Sequence, residues 1–442
     1  MDKKNLFKVY FPTFLSGALY ILLAYFTART QFVQLFTLIT AGFCLYLFLC
    51  RQAFSFKTGL VMALLLRFTF ILALPSLSDD YFRFYWDGTL VLSGENPYLQ
   101  LPSYYLESNH ALPGLPATLY AQLNSPTYYS VYPPVCQYIF AGAKLLAQNN
   151  IYIYCLVLRL LIIIAEATTI LLLRRILLFL HLPERQLWLY AFNPLVTLEL
   201  TGNLHFEAFL LLTLLASIYF LLQNKTLAAA VAFGLAVSIK LLPLLFLPPL
   251  IKYFGWKKFM LFTGLMTGTI AISFIPFVSE ALIRNIADSI NLYFQKFEFN
   301  ASIYYLLRSI GYVISGYNLI GVLGPLLGLT VLGSVLYLTK KFNHSNSGLI
   351  KIFLLSLSVY FFLATVVHPW YLCTVVALAA LANWKYPLVW SWVAFLSYNA
   401  YRTTSYQENL YLVALEYSLV FGTLYYELFQ QNKLSNAWKE TT

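Results

Sequence analysis

The stretch IYIYCLVLRLLIIIAEATTILLLRR, residues 151–175, contains the pattern that decides the fold of this chain: a long apolar run that ends in basic residues. Its first part, residues 151–173, consists mainly of leucine, isoleucine, valine, alanine and tyrosine, and two arginines follow it. About 20 consecutive apolar residues in a helix cross the roughly 30 Å hydrocarbon core of a bilayer. The stretch therefore predicts a transmembrane helix whose arginine-bearing end lies at the cytoplasmic surface.

Apolar runs of the same kind recur along the whole chain. Of the 442 residues, 60% are hydrophobic and 10% are charged, whereas about a quarter of the residues in a soluble domain are charged. We therefore predict an all-α polytopic membrane protein with about 12–14 transmembrane helices, and residues 1–442 as a single domain. The first run, residues 10–28, is predicted to be a retained helix, because no small-residue cleavage site follows it.

The basic charge of the chain is explained by membrane topology. The formal net charge is +11, which in a soluble protein would suggest nucleic acid as a partner. Here the basic residues stand at the ends of apolar runs, as they do in cytoplasmic loops of membrane proteins. The sequence also has no GxGxxG after a strand and no GxxxxGK[ST] to bind a nucleotide. The expected partners are thus membrane lipids and lipid-linked ligands, with no nucleic acid.

The positive-inside rule gives the orientation of the spans. It places two long loops outside, residues 78–147 and residues 278–315. Residues 131–147 are ambiguous, because a full span there would put Arg174 and Arg175 outside. We therefore predict that this segment, which is short and contains two prolines, is a juxtamembrane helix lying in the interface.

The first external loop opens on LSDDYFRFYWDGTLVLSGENPY, residues 77–98, which is unusually rich in charge. Continued as a helix, it has Asp80, Arg83 and Asp87 at spacings of three, four and seven, on one face. Asp79 lies about 100° around from Asp80. Such carboxylates beside an arginine suit three functions: a general base with its partner, a divalent cation site bridging a phosphate, or an ion path. A solvated acidic cap is the structural alternative.

The other face of this helix carries Phe82, Tyr85 and Trp86. Aromatic side chains favour the membrane–water interface, so this face is predicted to lie on the membrane surface. Asn-Pro in SGENPY is a turn signal and predicts the end of the helix.

Further ionisable residues fall at or near the outer face. His205 and Glu207 begin one span, Lys240 stands between two apolar runs, and His368 ends another. Arg159, within the first turns of its span, is costly in lipid and is expected to face the protein interior. A cation here either snorkels or neutralises a phosphate. Together with the acids, this set suits glycosyl transfer from a lipid-linked phosphate, which needs a base and a stabilised leaving group.

The order of several short motifs resembles a known family. SDDYFRFYWDG, SGENPY, YSVYPPV, NLHFEA, SIKLLPLLFLP and HPWYL follow one another, as in the integral-membrane glycosyltransferases of the C superfamily (GT-C). The chain looks most similar to bacterial polyprenyl-phosphate-mannose-dependent mannosyltransferases, and it is also similar to the first mannosyltransferase of GPI-anchor assembly. The resemblance extends over most of the chain from residue 59 to residue 371.

The resemblance implies an activity and a location. A hexose, in the first place mannose, would pass from a polyprenyl phosphate to a glycan or lipid-linked acceptor. The reaction would take place at the outer face of a bacterial inner membrane. An Asp at the start of the first external loop would be the catalytic base, either Asp79 or Asp80; Asp80 is favoured because it shares a face with Arg83 and Asp87.

The candidate residues fall into three groups. The catalytic candidates are Asp80, Asp79 and Asp87. The candidates for binding substrate or phosphate are Arg83, Arg159, Lys240, His205, Glu207, His368, Tyr98 and Tyr132. The adjacent pair Asp79-Asp80 departs from the acid–x–acid pattern of the GPI enzyme, so a divalent cation on Asp80 and Asp87 stays open.

Two other classes of function compete with an enzyme. A multi-span transporter or lipid flippase would place ionisable groups near the bilayer midplane in two repeated halves. We find no internal repeat, and the charges cluster at one face, which favours the enzyme. A membrane scaffold would tolerate replacement of the acids.

Overall fold

The computed structural model describes residues 3–295, 297–341, 345–403 and 406–440. These ranges contain helices and loops, with one isolated parallel bridge between Phe299 and Val366. The α-helices are α1 (Lys3–Phe26), α2 (Phe32–Leu49), α3 (Phe56–Phe68), α4 (Asp80–Leu92), α5 (Ala117–Tyr120), α6 (Pro134–Ala147), α7 (Ile151–Phe179), α8 (Trp188–Ala191), α9 (Pro194–Val196), α10 (Glu207–Leu222), α11 (Thr226–Val237), α12 (Leu247–Phe254), α13 (Trp256–Phe274), α14 (Leu282–Gln295), α15 (Ile303–Ser315), α16 (Ile320–Lys341), α17 (Asn346–Leu363), α18 (Leu372–Ala382), α19 (Tyr386–Val393) and α20 (Leu410–Glu440).

Short non-α helical segments connect several of these elements. One is a π-helix, Thr197–Gly202, which follows α9. The others are 3-10 segments: Pro102–Leu106, Glu184–Leu187, Leu242–Phe246, Ile275–Phe277, Pro369–Tyr371 and Ala394–Tyr401.

The predicted class, an all-α multi-pass membrane protein, is confirmed. Within the described residues, seven helices are long and apolar enough to cross a bilayer. They are Phe7–Phe26, Phe32–Leu49, Ile151–Phe179, Trp256–Phe277, Ile320–Lys341, Asn346–Leu363 and Leu410–Gln430. The number becomes eight if the pair Pro194–Gly202 and Glu207–Leu222, bent by 115°, is one broken span.

This number is smaller than the 12–14 spans expected, because several apolar runs break into short helices. The run that follows Phe56 leaves the helix after Phe68, and α11 has only 12 residues. Broken helices are possible inside a membrane protein when other groups satisfy the freed backbone. Arg159 does this for the π-helix, because its guanidinium donates to the carbonyls of Thr201 and Gly202.

The stretch that opened the sequence analysis forms α7, a 29-residue helix. The Asn150 side chain caps it by accepting from the backbone N–H groups of Tyr152 and Ile153, which otherwise lack partners. The helix extends past the predicted end at residue 173. Arg174 thus lies on the helix, where it pairs with Glu184 at 2.8 Å.

The first loop is a compact layer in which α4 packs against α6. Gly88 allows close approach, since a Cβ atom there would lie 2.6 Å from the carbonyl oxygen of Phe140. The prediction that the aromatic face of α4 lies on the membrane surface is wrong: Tyr85 and Trp86 are buried and Phe82 is half-buried. The tertiary fold covers that face, with Tyr154 of α7 against Tyr85.

The second long loop lies on the first. The Asn285 side chain of α14 donates to the carbonyl of Tyr98, and the Asn96 side chain donates to the carbonyl of Phe277. These bonds hold the turn SGENPY against α14 and against the 3-10 segment Ile275–Phe277, so the two loops pack on each other.

Candidate functional site

Two cavities meet at Asp80. The first cavity, of about 250 Å³, is lined in part by Arg29, Asp79, Asn124, Tyr128, His368 and Tyr401. The second cavity, of about 270 Å³, is lined in part by His205, Glu207, Lys240, Leu242, Tyr360 and Tyr371. The residues lining both are Asp80, Val131, Tyr132 and Trp370. A group at this junction can contact ligands in both cavities.

Asp80 is the first residue of α4, where the helix dipole favours a negative charge. Its side chain is 18% exposed, and its Oδ2 lies 3.8 Å from Nδ1 of His205. The Asn124 amide donates to its other oxygen. Burial raises the pKa of the Asp80 carboxyl, while His205 and the Asn124 hydrogen bond partly lower it and Glu207 and Asp79 raise it further. Such a carboxyl is a stronger base than an exposed one.

Asp79 has a different partner and borders only the first cavity. Its Oδ2 lies 2.6 Å from Nη1 of Arg29, in the loop between α1 and α2. The same guanidinium lies 5.3 Å from the ring centroid of Tyr401. Arg29 was missed by sequence reasoning, although an arginine at the outer end of the first predicted span departs from the positive-inside rule.

Asp87 holds the structure of the first loop. Its carboxylate accepts from Nε of Arg83 at 2.8 Å, and also from Ser130 and Gln137. Arg83 also donates to the carbonyls of Ser125 and Tyr128. Of the two acids that the sequence places on the same face as Arg83, Asp87 is the one that pairs with it. Asp87 is fully buried and lines neither cavity.

The open suggestion of a cation on Asp80 and Asp87 does not fit this arrangement. The two carboxylates face different partners, Asn124 and His205 for Asp80 and Arg83 for Asp87. Across the described ranges, no group of three or more His, Cys, Asp or Glu side chains could hold a metal ion.

His205 follows an irregular piece of backbone. The π-helix Thr197–Gly202 precedes it, and Leu204 has a φ of 63°, which is rare for a branched residue. π-helical turns often mark functional sites. This backbone brings Nε2 of His205 to 3.3 Å from Glu199. Glu199, missed from the sequence, also accepts from Asn203 and Tyr398.

Four rings form a column between the two cavities. Trp370 lies between His205, at 3.9 Å between centroids, and His368, at 4.3 Å. Phe299 packs on the far side of His368 at 4.5 Å. Trp370 was missed as a site residue, although it stands within HPWYL. His368 is 8% exposed, and its Nδ1 has no hydrogen-bond partner within the described part of the chain.

Lys240 and Glu207 form an ion pair beside the second cavity. The Lys240 ammonium also lies 3.7 Å from the ring centroid of Tyr371, a cation–π contact. Glu207 of α10 and Lys240 of the segment after α11, both predicted at or near the outer face, are thus neighbours.

The remaining candidates lie apart from the cavities or only frame them. Arg159 is buried, donates to three backbone carbonyls and lines neither cavity. The Tyr98 hydroxyl donates to the carbonyl of Tyr132 at 2.7 Å. Tyr132 borders both cavities, whereas Tyr98 lines neither of them.

Comparison with known families places the chain beside a family of mannosyltransferases. The model of the MptA_B family, described as alpha-(1->6)-mannopyranosyltransferase, N-terminal domain, matches residues 9–254, which is more than half of the chain. The match includes Arg29, Asp80, His205 and Lys240, and ends before the segment of Trp370. No curated protein matches the chain.

Proposed function

The chain belongs to the MptA_B family of mannosyltransferases, and from this premise we propose that it moves one mannose from a polyprenyl-phosphate donor to a hydroxyl group of a glycan acceptor. The position of Asp80 carries the proposal. Among the described acids that line the two cavities, Asp80 alone borders both. A catalytic base must reach the hydroxyl group of the acceptor while the donor sugar lies next to that hydroxyl group.

The donor belongs in the second cavity. Its lining includes the apolar side chains of Leu241, Leu242 and Phe361, against which an isoprenoid chain can pack. The Lys240 ammonium has three N–H donors, so it can contact Glu207 and a phosphate together. Its positive charge favours the phosphate most when negative charge accumulates there, as the sugar leaves.

The reaction is a single displacement. Asp80 accepts the proton of the acceptor hydroxyl, and the oxygen forms a bond to the anomeric carbon of the donor sugar. The bond between that carbon and the phosphate oxygen breaks, and its electron pair leaves with the phosphate. A single displacement inverts the anomeric centre, so an α-(1→6) product requires a β-linked donor.

The site belongs at the extracytoplasmic face of a bacterial inner membrane in this proposal. The support is the distribution of lysines and arginines, which puts both long loops outside. Asp80 belongs to the first of those loops, and the second loop packs on the first.

The test is transfer of labelled mannose by purified protein in lipid nanodiscs, from polyprenyl-phosphate mannose to an α-linked oligomannoside. We expect Asp80→Asn to lower kcat about 10²–10⁴-fold, the usual contribution of a general base. Asp79→Asn should lower kcat far less, because Asp79 borders only the first cavity and lies outside the junction.

The same assay can reject the proposal. Wild-type rates in Asp80→Asn would exclude Asp80 as the base. Loss of transfer in Asp79→Asn alone would identify Asp79, and not Asp80, as the catalytic base. Circular dichroism and elution volume of each variant show whether the protein is folded.

A further inference from the structure

A charged pair at the wall of the first cavity has no evident structural purpose. Arg29 and Asp79 are 35% and 37% exposed. Ion pairs exposed to this extent contribute about 0–1 kcal/mol to stability. Arg29 stands in the α1–α2 loop, which is closed on both sides of it: the Gln31 side chain accepts from the backbone N–H of Ala28, and the Gln34 side chain donates to Thr27.

The chemistry of this pair suits sugar hydroxyls. The carboxylate of Asp79 can accept hydrogen bonds from hydroxyl groups, and the guanidinium of Arg29 has five N–H donors. Within the described residues, the structure gives that guanidinium one hydrogen bond, to Asp79. The pair is neutral as a whole, so it favours a neutral polyol over an anionic ligand.

The rest of the first cavity fits the same ligand. Tyr128, Tyr129 and Tyr401 line it, and aromatic rings offer apolar faces to the C–H groups of a pyranose. His368 also lines it, and its Nδ1 is a buried polar atom that finds no hydrogen-bond partner among the described residues. Buried polar atoms are normally hydrogen-bonded, so this atom points to a ligand hydroxyl.

We propose that the first cavity is the binding site for the acceptor glycan, a neutral mannose chain, with the Arg29–Asp79 pair and His368 as its polar contacts. The inference rests on the proposed function and deepens it. It assigns the N-terminal hairpin α1–α2 a role in acceptor selection. It also gives Asp79 a role distinct from that of Asp80.

The experiment compares Arg29→Met and Asp79→Asn with wild type, with an α-linked oligomannoside as acceptor. We expect each change to raise the acceptor KM about 10–100-fold, as loss of a charge-assisted hydrogen bond does. The donor KM should stay within about twofold. The purely structural alternative predicts no such separation of the two KM values.

The chain offers a matched control. Arg174 and Glu184 are 36% and 35% exposed and lie 2.8 Å apart, and neither lines the two cavities. Arg174→Met removes an ion pair of the same exposure and should leave the acceptor KM unchanged.

A second readout needs no transfer. Binding of the oligomannoside to donor-free protein, measured by saturation-transfer NMR, should be lost in Arg29→Met and kept in Arg174→Met. If wild type binds the sugar but transfers no mannose, the proposed function fails while this site stands. An unchanged acceptor KM and unchanged sugar binding in both Arg29→Met and Asp79→Asn would overturn the inference.

Discussion

At the scale of single residues, Asp79 and Asp80 show how one step along the chain gives two acids different partners and positions. Successive residues at the start of a helix point about 100° apart. Asp79 therefore faces Arg29 and the first cavity, whereas Asp80 lies at the junction beside His205. The sequence alone leaves open which of the two is the catalytic base, because adjacent positions do not reveal which cationic side chain each carboxylate contacts.

The pH dependence of transfer should follow the pKa of Asp80. Burial raises that pKa from 3.8, and His205 opposes the rise. As a base, Asp80 acts only when ionised, so activity is complete above the raised pKa and is lost as the pH falls through it. His205→Asn removes the opposing influence and should move this acidic limb to higher pH, measured as kcat against pH.

The informative quantity is the pH at which kcat falls on the acidic side of the profile, and not the maximal value of kcat. His110→Asn is the control, because His110 stacks on Tyr104 in the first loop and lines neither cavity. A limb that stays in place or moves to lower pH in His205→Asn would contradict the assignment of Asp80.

Asp87 and Arg159 show the limit of reasoning from charge alone. Both are ionisable residues among apolar neighbours, which favours a functional role. Both are instead held by protein groups: Arg83 binds Asp87, and backbone carbonyls bind Arg159. A buried charge requires partners in either case, and the sequence does not say whether the partner is protein or substrate.

At the scale of elements, the close packing of α4 on α6 positions the junction of the cavities. Asp80 begins α4, while Pro133 and Cys136, at the start of α6, line the second cavity. Gly88 makes the approach possible, since there is no room for a side chain beside Phe140. The distance between these two helices thus sets where Asp80 lies.

Gly88→Ala should destabilise the protein and reduce transfer. The new Cβ would stand 2.6 Å from a backbone oxygen, and overpacking of this kind costs about 1–3 kcal/mol. Gly142→Ala on α6 is the matched control, because among the described residues a Cβ there would meet no atom within 4 Å apart from its own stretch of helix backbone, and alanine favours a helix.

Thermal unfolding in detergent measures both variants. We expect the midpoint to fall for Gly88→Ala and to stay or rise for Gly142→Ala. Equal midpoints for Gly88→Ala and wild type would show that α4 and α6 can separate without cost.

At the scale of the whole molecule, the site is assembled from distant parts of the chain. Asp80, His205 and Lys240 lie within the matched family region, while Trp370 comes from beyond it. The bridge between Phe299 and Val366 ties the second loop to the segment before His368. The prediction of an enzyme over a transporter is confirmed by the family match.

Lys240→Met should weaken donor binding. If the ammonium contacts the donor phosphate, its removal should raise the donor KM about 10–100-fold, the value of a hydrogen bond to a charged group. Glu207→Gln frees the ammonium from its ion pair and should keep or lower the donor KM. The assay is transfer at varied concentrations of polyprenyl-phosphate mannose.

The control for Lys240→Met lies at the other end of the same helix. Lys225 precedes α11 and is exposed, outside both cavities, so Lys225→Met should leave the donor KM unchanged. A donor KM within about twofold of wild type in Lys240→Met would contradict the proposed contact between Lys240 and the donor phosphate.

The sequence by itself determined the fold class of the protein and its resemblance to a family of enzymes. Apolar runs specify burial in a bilayer, and the motif order resembles mannosyltransferases, as the family match confirms. Only the tertiary structure decided where apolar runs break, which acids meet which cations, and which aromatic faces are covered. The physical reason is that hydrophobicity is a property of each residue, whereas the partner of a buried charge and the cover of an apolar face depend on neighbours far away in the chain.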